Sequence, residues 1–395
     1  MNREGGDHLP SRERIARLRQ AMEEAGIDAV FLPPSGDLEY VLGVRRQRAH
    51  ATDDYQYGDW LYGAWISRQG IRVVVPWVLR HYVENQLQAA GADLGTESRL
   101  DLLVLPEIPR PTGPVEAWVR ERHWGRVAVG KRAPARLLVE LAGAIGGPWV
   151  DAEPLIAPMR AIKSDDEIAL MRRAAEVVDV VYQQLLSVMR VGMTEADVAS
   201  EIDARLVRAG SEGTSFVTGV MLSRPGAAPV VEAVGRAGSA RLDPGTIVAL
   251  DFGCVVDGYA NDFGRTVYMG SVSPRHRRIH DIVAAAQRVG METLRPAIPC
   301  QAVDATVRDF LAAHGYPHDP FHRLGHGIGR DVHEPPFLEV GDETPVASGM
   351  TFTVEPSIYV AGDCLIRYED VVRVTDQGCE PLNRADPTLA VITAG

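Results

Sequence analysis

The residues of this chain that could do chemistry collect in its C-terminal half. In the stretch Thr246–Met269, TIVALDFGCVVDGYANDFGRTVYM, an apolar run from Ile247 to Leu250 leads straight into Asp251, and a second acid, Asp262, follows eleven residues later. Asp257-Gly258 is a strong two-residue hairpin turn between strand-forming residues. A regular hairpin closed there pairs Val256 with Tyr259, Val255 with Ala260, Cys254 with Asn261 and Gly253 with Asp262. Side chains alternate faces along a strand, so Asp251 and Asp262 then share one face as diagonal neighbours, roughly 7–8 Å apart at the backbone. Two carboxylates at the end of so apolar a strand need a cation or a partner if buried, because buried charge is costly when unpaired; the alternative is a solvated hairpin tip with incidental acids.

Three further patches carry polar residues in apolar surroundings: FHRLGHGIGRDVHEPP (Phe321–Pro336), TFTVEPSIY (Thr351–Tyr359) and IRYEDVVRVT (Ile366–Thr375). Gly325 and Gly327 flank His326 and allow its backbone to approach a ligand closely. Taken singly, His326, Glu355 and Glu369 each have an ordinary structural explanation.

Taken together, their spacing and context resemble the metallopeptidase family with the pita-bread fold, which includes methionine aminopeptidase, aminopeptidase P, prolidase and, without metal, creatinase. The resemblance covers the whole chain, since the N-terminal part and the linking segment RAIKSDDEIALMRRA look like those of the proline-specific branch. It implies five metal ligands, Asp251, Asp262, His326, Glu355 and Glu369, with none missing. It also implies that Glu355 doubles as the proton shuttle and that His333, seven residues after His326, binds substrate and stabilises the tetrahedral intermediate. His322 and Arg367 match positions that hold proline-containing substrates. His322 is also four residues from His326, so a supporting role behind that ligand is the alternative.

Independently of the resemblance, four carboxylates with one imidazole and no thiolate make a hard, oxygen-rich donor set. It suits Mn2+, or Co2+ and Zn2+, better than a structural zinc centre. That many carboxylates favour two divalent ions about 3.5–4 Å apart, and a water shared by them would be deprotonated near neutral pH and serve as nucleophile. Two positions depart from the family pattern. Val234 stands where the family has a rim histidine, and the chain has no histidine between His123 and His276. Gly264 stands where a threonine is usual.

These residues need a scaffold. The expected fold class is α/β (α+β), a small α/β N-terminal domain (residues 1–157) followed by a pita-bread catalytic domain (residues 158–395). Helical spacing of Ile15, Leu18, Met22 and Ala25 predicts a helix over 11–25, followed by a strand over 28–32. Strands over 64–67, 71–76, 102–105 and 126–130, with helices over 80–90 and 135–145, complete an α/β layer. The pattern is broken by Gly146-Gly147-Pro148, and by Pro154–Pro158 the first domain is expected to be over. Ser164 with Glu167, and Thr194 with Asp197, have capping-box spacing and predict helices to about 189 and 207. Two more helices are expected over 275–294 and 303–314, then strands from 350. Helix, helix, acidic hairpin thus occurs twice, as in two related halves facing one site. The loop Arg46–Trp60 is long and aromatic, and the resemblance implies that it serves a homodimer partner's site.

Length and composition agree. At 395 residues the chain exceeds the usual size of one core, and a net charge of −12 argues against a nucleic-acid partner. Four cysteines without a CxxC pair fit neither a disulfide framework nor a zinc ribbon, and no apolar run is long enough to span a bilayer. The expectation is a cytoplasmic, metal-dependent Xaa-Pro peptidase, aminopeptidase or dipeptidase, acting on short peptides. The alternatives are a hydrolase or lyase of the same fold acting on a non-peptide small molecule, and a peptide-binding module that has lost catalysis. Retention of all five ligands weighs against the last.

Overall fold

The computed structural model describes residues 11–46, 59–90, 100–106, 112–226, 238–317 and 322–393. Most of the loop 46–60, and Val234 with its neighbours, lie outside the described residues. The chain forms two compact units, Met1–Arg160 and Ala161–Gly395.

In the first unit, α1 (Ser11–Glu24), β1 (Ala29–Leu32), α2 (Gly36–Leu42), β2 (Gly63–Ser67), β3 (Ile71–Pro76), α3 (Arg80–Ala89), β4 (Leu100–Leu105), α4 (Gly113–Glu121), β5 (Val127–Val129), α5 (Ala135–Leu141), β6 (Trp149–Asp151) and α6 (Glu153–Ala161) follow one another. The six strands form one sheet in the order β4-β3-β2-β1-β5-β6. Side chains of β1 alternate between its two faces, Val30 and Leu32 packing with Leu18 and Met22, Ala29 and Phe31 with Trp65 and Trp124. Helix α2 was not expected; Ser35 accepts from the Leu38 N–H at its start, and Gly43 ends it at φ +72°. The proline-bearing stretch expected to close the domain is instead helix α6. Pro154 sits in its first turn, where no N–H is required, Asp151 Oδ1 accepts from the Glu153 N–H, and the helix runs past residue 157 to Ala161.

The second unit begins with α7 (Asp165–Leu186) and α8 (Glu195–Arg208), and both expected capping boxes form. The chain continues through β7 (Gly219–Ser223), β8 (Ile247–Phe252), β9 (Val255–Val256), β10 (Tyr259–Ala260), β11 (Phe263–Met269), α9 (Pro274–Thr293) and α10 (Cys300–Ala313). It ends with β12 (Gly325–Gly327), β13 (Glu334–Leu338), β14 (Thr351–Val354), β15 (Ser357–Val360), β16 (Cys364–Arg367), β17 (Asp370–Thr375), β18 (Gly378–Pro381) and β19 (Ala390–Ile392).

Two main sheets result, β19-β11-β8-β7 and β13-β12-β14-β17-β18. Helices α7 and α8 bury Val178, Leu185, Val198 and Ile202 with Val220, Val248 and Phe263 of the first sheet. Helices α9 and α10 bury Ile279, Val283 and Val307 with Phe352 and Val372 of the second. The twofold recurrence of two helices and a hairpin is therefore present in the packing, each pair with its own sheet. Asp257 and Gly258 adopt φ +48° and +81°, the left-handed pair that a tight hairpin turn requires. The pairing runs as expected, Val256 with Tyr259 and Val255 with Ala260, and stays in register to Asp251 opposite Gly264.

Candidate metal centre

The register that sets Asp251 opposite Gly264 leaves Asp262 two residues off on the partner strand, so the two aspartates face the same side. The other sheet supplies His326 from β12, Glu355 from the turn after β14 and Glu369 immediately before β17. The two sheets meet where Gly264 and Glu369 exchange backbone hydrogen bonds, 3.3 Å for the Gly264 N–H and 2.9 Å for the Glu369 N–H. That seam brings ligands from distant parts of the chain together. Oxygen and nitrogen atoms of Asp251, Asp262 and Glu369 lie within 4.8 Å of one another, as do those of His326, Glu355 and Glu369, and those of Asp262, His326 and His333.

His326 is oriented from behind. Its Nδ1 lies 3.0 Å from the Gly327 carbonyl, where it donates, which leaves Nε2 facing Glu355 Oε1 at 3.3 Å and Asp262 Oδ2 at 3.5 Å. Thr353 Oγ1 accepts from the His326 N–H at 3.0 Å and donates to Glu355 Oε1 at 3.1 Å, tying two ligands to one hydroxyl. The sequence reading passed over Thr353, although it stands only two residues before Glu355.

It also passed over Arg265. This guanidinium donates to the carbonyls of Gly264 (2.9 Å) and Glu369 (2.7 Å) and to Asp370 Oδ1 (2.7 Å), so it clamps the seam from inside. The Phe263 and Tyr368 rings lie 4.3 and 3.8 Å from it, and Gln287 donates to the other Asp370 oxygen. Its signal in the sequence was only its position three residues after Asp262; its partner Asp370 follows Glu369 but lies 105 residues further along the chain.

Arg367 pairs with Asp251 Oδ2, donates to Ser357 Oγ at 3.1 Å and approaches His322 Nε2 to 3.5 Å. The two residues expected to hold substrate are thus neighbours, and Arg367 also touches the ligand cluster. His333 lies edge-on to His326, ring centroids 4.2 Å apart.

Electrostatics show what the cluster lacks. Burial, with repulsion from Asp262 and Glu355 outweighed only in part by Arg367, pushes the Asp251 carboxyl up to about 7. Burial and the charges of Asp262, Glu355 and Asp251 raise Glu369 well above its ordinary value. Burial opposes protonation of His326, yet its hydrogen bond to Asp262 and the charge of Glu355 raise it. Burial lowers His322 and His333. Among the carboxylate oxygens of this cluster, Asp262 Oδ1 and Glu369 Oε2 are buried and make no hydrogen bond. Mutually repelling carboxylates with unsatisfied buried oxygens are a donor set that fits divalent cations.

Fold and site together are those of a pita-bread protein with a candidate carboxylate-rich metal centre. The sequence model described as metallopeptidase family M24 matches residues 169–376, and that of the creatinase/prolidase N-terminal domain matches 14–162. The chain belongs to metallopeptidase family M24. It is 31% identical over 381 residues, 96% of either chain, to the probable dipeptidase PepE of Mycobacterium tuberculosis. Among solved structures it is similar to the dipeptidase PepE of Mycobacterium ulcerans (28% identity, TM-score 0.83, covering 98% of this chain and 99% of that one). It is also similar to an Xaa-Pro dipeptidase of Bacillus anthracis (26% identity, TM-score 0.81, 96% and 99%).

Proposed function

We propose that the protein is a metal-dependent Xaa-Pro peptidase that hydrolyses the bond before proline in short peptides. The observation that carries this reading is the convergence of Asp251, Asp262, His326, Glu355 and Glu369 in overlapping sets that share Glu369. Such sharing supports two divalent ions, with Mn2+ the first choice for so many carboxylates and Co2+ or Zn2+ as substitutes. When bound, the ions would supply Lewis acidity, lowering the pKa of a water and polarising the scissile carbonyl.

The chain's own residues do the rest. Glu355 accepts the proton of the attacking water and returns it to the proline nitrogen as the C–N bond breaks. His333 donates to the oxygen that becomes negative in the tetrahedral state. Arg367 and His322, side by side, hold the substrate's polar end. The relatives named dipeptidase support the peptide substrate. Among the described residues no helix is long and apolar enough to cross a membrane. A homodimer is part of the proposal and is tested by sedimentation at micromolar concentration.

A second reading, a non-peptide small-molecule substrate on the same centre, is favoured by one residue, Val234 in place of the rim histidine. A screen of Xaa-Pro dipeptides, Xaa-Pro tripeptides and small amides with added Mn2+ separates the two. Turnover of proline peptides by wild type, raised in V234H, supports the peptidase; no cleavage of any proline peptide by either protein overturns it.

A further inference from the structure

Behind the metal centre lies a second set of buried charges that the proposed chemistry does not use. Lys163 and Glu334 form an ion pair, Nζ to Oε1 2.7 Å, with side chains only 3% and 2% exposed. Lys163 also reaches the carbonyl of Ala161 at 3.3 Å. Glu334 Oε2 accepts from the Asp331 N–H at 3.4 Å. Replacing a buried ion pair by apolar residues of similar volume is often neutral or stabilising, so stability alone does not account for this one.

Its position does. Glu334 follows His333 directly and opens β13. The main chain of Lys163 donates to the Gly349 carbonyl at 2.9 Å, and Ile162 bridges Met350, at the start of the strand that leads into Glu355. One residue therefore grips both the strand after His333 and the strand before Glu355. Gly329 makes room for the grip, since a Cβ there would lie 2.5 Å from Glu334 Oε1 and 3.0 Å from Lys163 Cε. Its carbonyl accepts from the Ala260 N–H at 2.7 Å, so the loop 328–334 is tied to the acidic hairpin as well as to β13.

We infer that Lys163 and Glu334 are positioning residues for His333: the buried pair fixes the loop 328–334 so that the imidazole stands edge-on to His326, where the developing charge is to be met. The inference rests on the role proposed for His333. Neither residue of the pair touches substrate in this account; both act through the loop.

The test uses the full-length, Mn2+-loaded protein and the variants K163M, E334Q and K163M/E334L. Expected for K163M and E334Q is a fall in kcat of about 10- to 100-fold, the size of loss that small misplacements produce, with KM and calorimetric Mn2+ affinity near wild type. The apolar pair K163M/E334L is expected to regain the wild-type melting temperature without regaining kcat. In the same proteins loaded with diamagnetic Zn2+ in place of Mn2+, the His333 imidazole cross-peak, assigned by its loss in H333A, should shift or split in all three variants. Recovery of wild-type kcat together with melting temperature in K163M/E334L would mean a purely structural pair and overturn the inference, as would wild-type kcat in E334Q or K163M. If wild type cleaves no proline peptide, the peptidase reading fails, and the His333 cross-peak decides separately: unchanged in E334Q and in K163M/E334L, it overturns the positioning role.

Discussion

Gly264 and Glu369 are bonded to each other through their backbones at the seam between the two sheets, one opposite Asp251 and the other itself a proposed ligand. A Cβ on residue 264 would stand 2.8 Å from Glu369 Oε2 and 2.9 Å from Arg367 Cδ. Glycine therefore leaves the space in which Arg367 reaches Asp251. The substitution G264A should displace Arg367 and the Glu369 carboxylate and weaken Mn2+ binding by about 10- to 100-fold, the range for changes next to metal ligands. Calorimetric titration measures this, and equal affinity in G264A and wild type would show that the seam has slack.

The acidic hairpin was readable because local chemistry decides it: Asp257-Gly258 prefers the left-handed turn, and the turn sets the register that aligns Asp251 with Asp262. The capping boxes at Ser164 and Thr194 were readable for the same reason. Helix α2 was not, because seven residues with two acids give too short a period to recognise, and β7 was hidden in the five residues GVMLS. Helix α6 was not recognised because prolines read as breakers: Pro154 in its first turn is harmless, but the helix also accommodates Pro158 in its interior. His326, Glu355 and Glu369 were joined to the two aspartates only through resemblance, since no local pattern links β8 to residue 369. The Arg265–Asp370 clamp and the Lys163–Glu334 pair lie 105 and 171 residues apart in sequence, and only tertiary packing makes either pair.

Removing a ligand should remove the ions. D262A and E369A each delete a carboxylate that belongs to two of the overlapping sets of ligand atoms found among the described residues. High-affinity Mn2+ binding should be lost in both. Wild-type affinity in both variants would end the metal reading.

The metal-free protein should lose stability as pH rises. Asp251, raised from 3.8 to about 7, and Glu369, raised above 4.5, still hold protons in the folded chain where the unfolded chain has released them. Their stabilisation is therefore full below the ordinary carboxylate range and is lost as pH climbs toward about 7. His326, raised above 6.5, acts in the same direction at higher pH, whereas His322 and His333, lowered, oppose it below 6.5. The melting temperature of metal-free protein should fall between about pH 5 and about pH 8, and Mn2+ should abolish the fall because it binds the deprotonated ligands. A melting temperature that rises over this range without metal would contradict the assignment.

The seam itself should be costly to open. Arg265 and Asp370 are 4% and 9% exposed, and removing one member of such a pair leaves a buried charge uncompensated. R265M should destabilise by about 3–5 kcal/mol in urea unfolding of the metal-free protein. The metal-free form is the informative one, because bound ions would add their own stabilisation to the folded state. A loss below about 1 kcal/mol would mean that the guanidinium is dispensable to the seam.

His333 separates binding from turnover. Its ring touches that of His326, yet in the proposed roles it acts on substrate charge and not on the ions. H333A should therefore keep the Mn2+ affinity of wild type and lose about 100- to 1000-fold in kcat on the best Xaa-Pro substrate, the usual effect of deleting one oxyanion donor. The two measurements must be made on the same preparation, since a variant that lost metal would also lose turnover. If Mn2+ affinity falls with kcat, His333 belongs with the ligands, as its place beside Asp262 and His326 would then allow. If kcat stays at the wild-type value with metal bound, the oxyanion role passes to another donor near the cluster, and Arg367 is the first to substitute next.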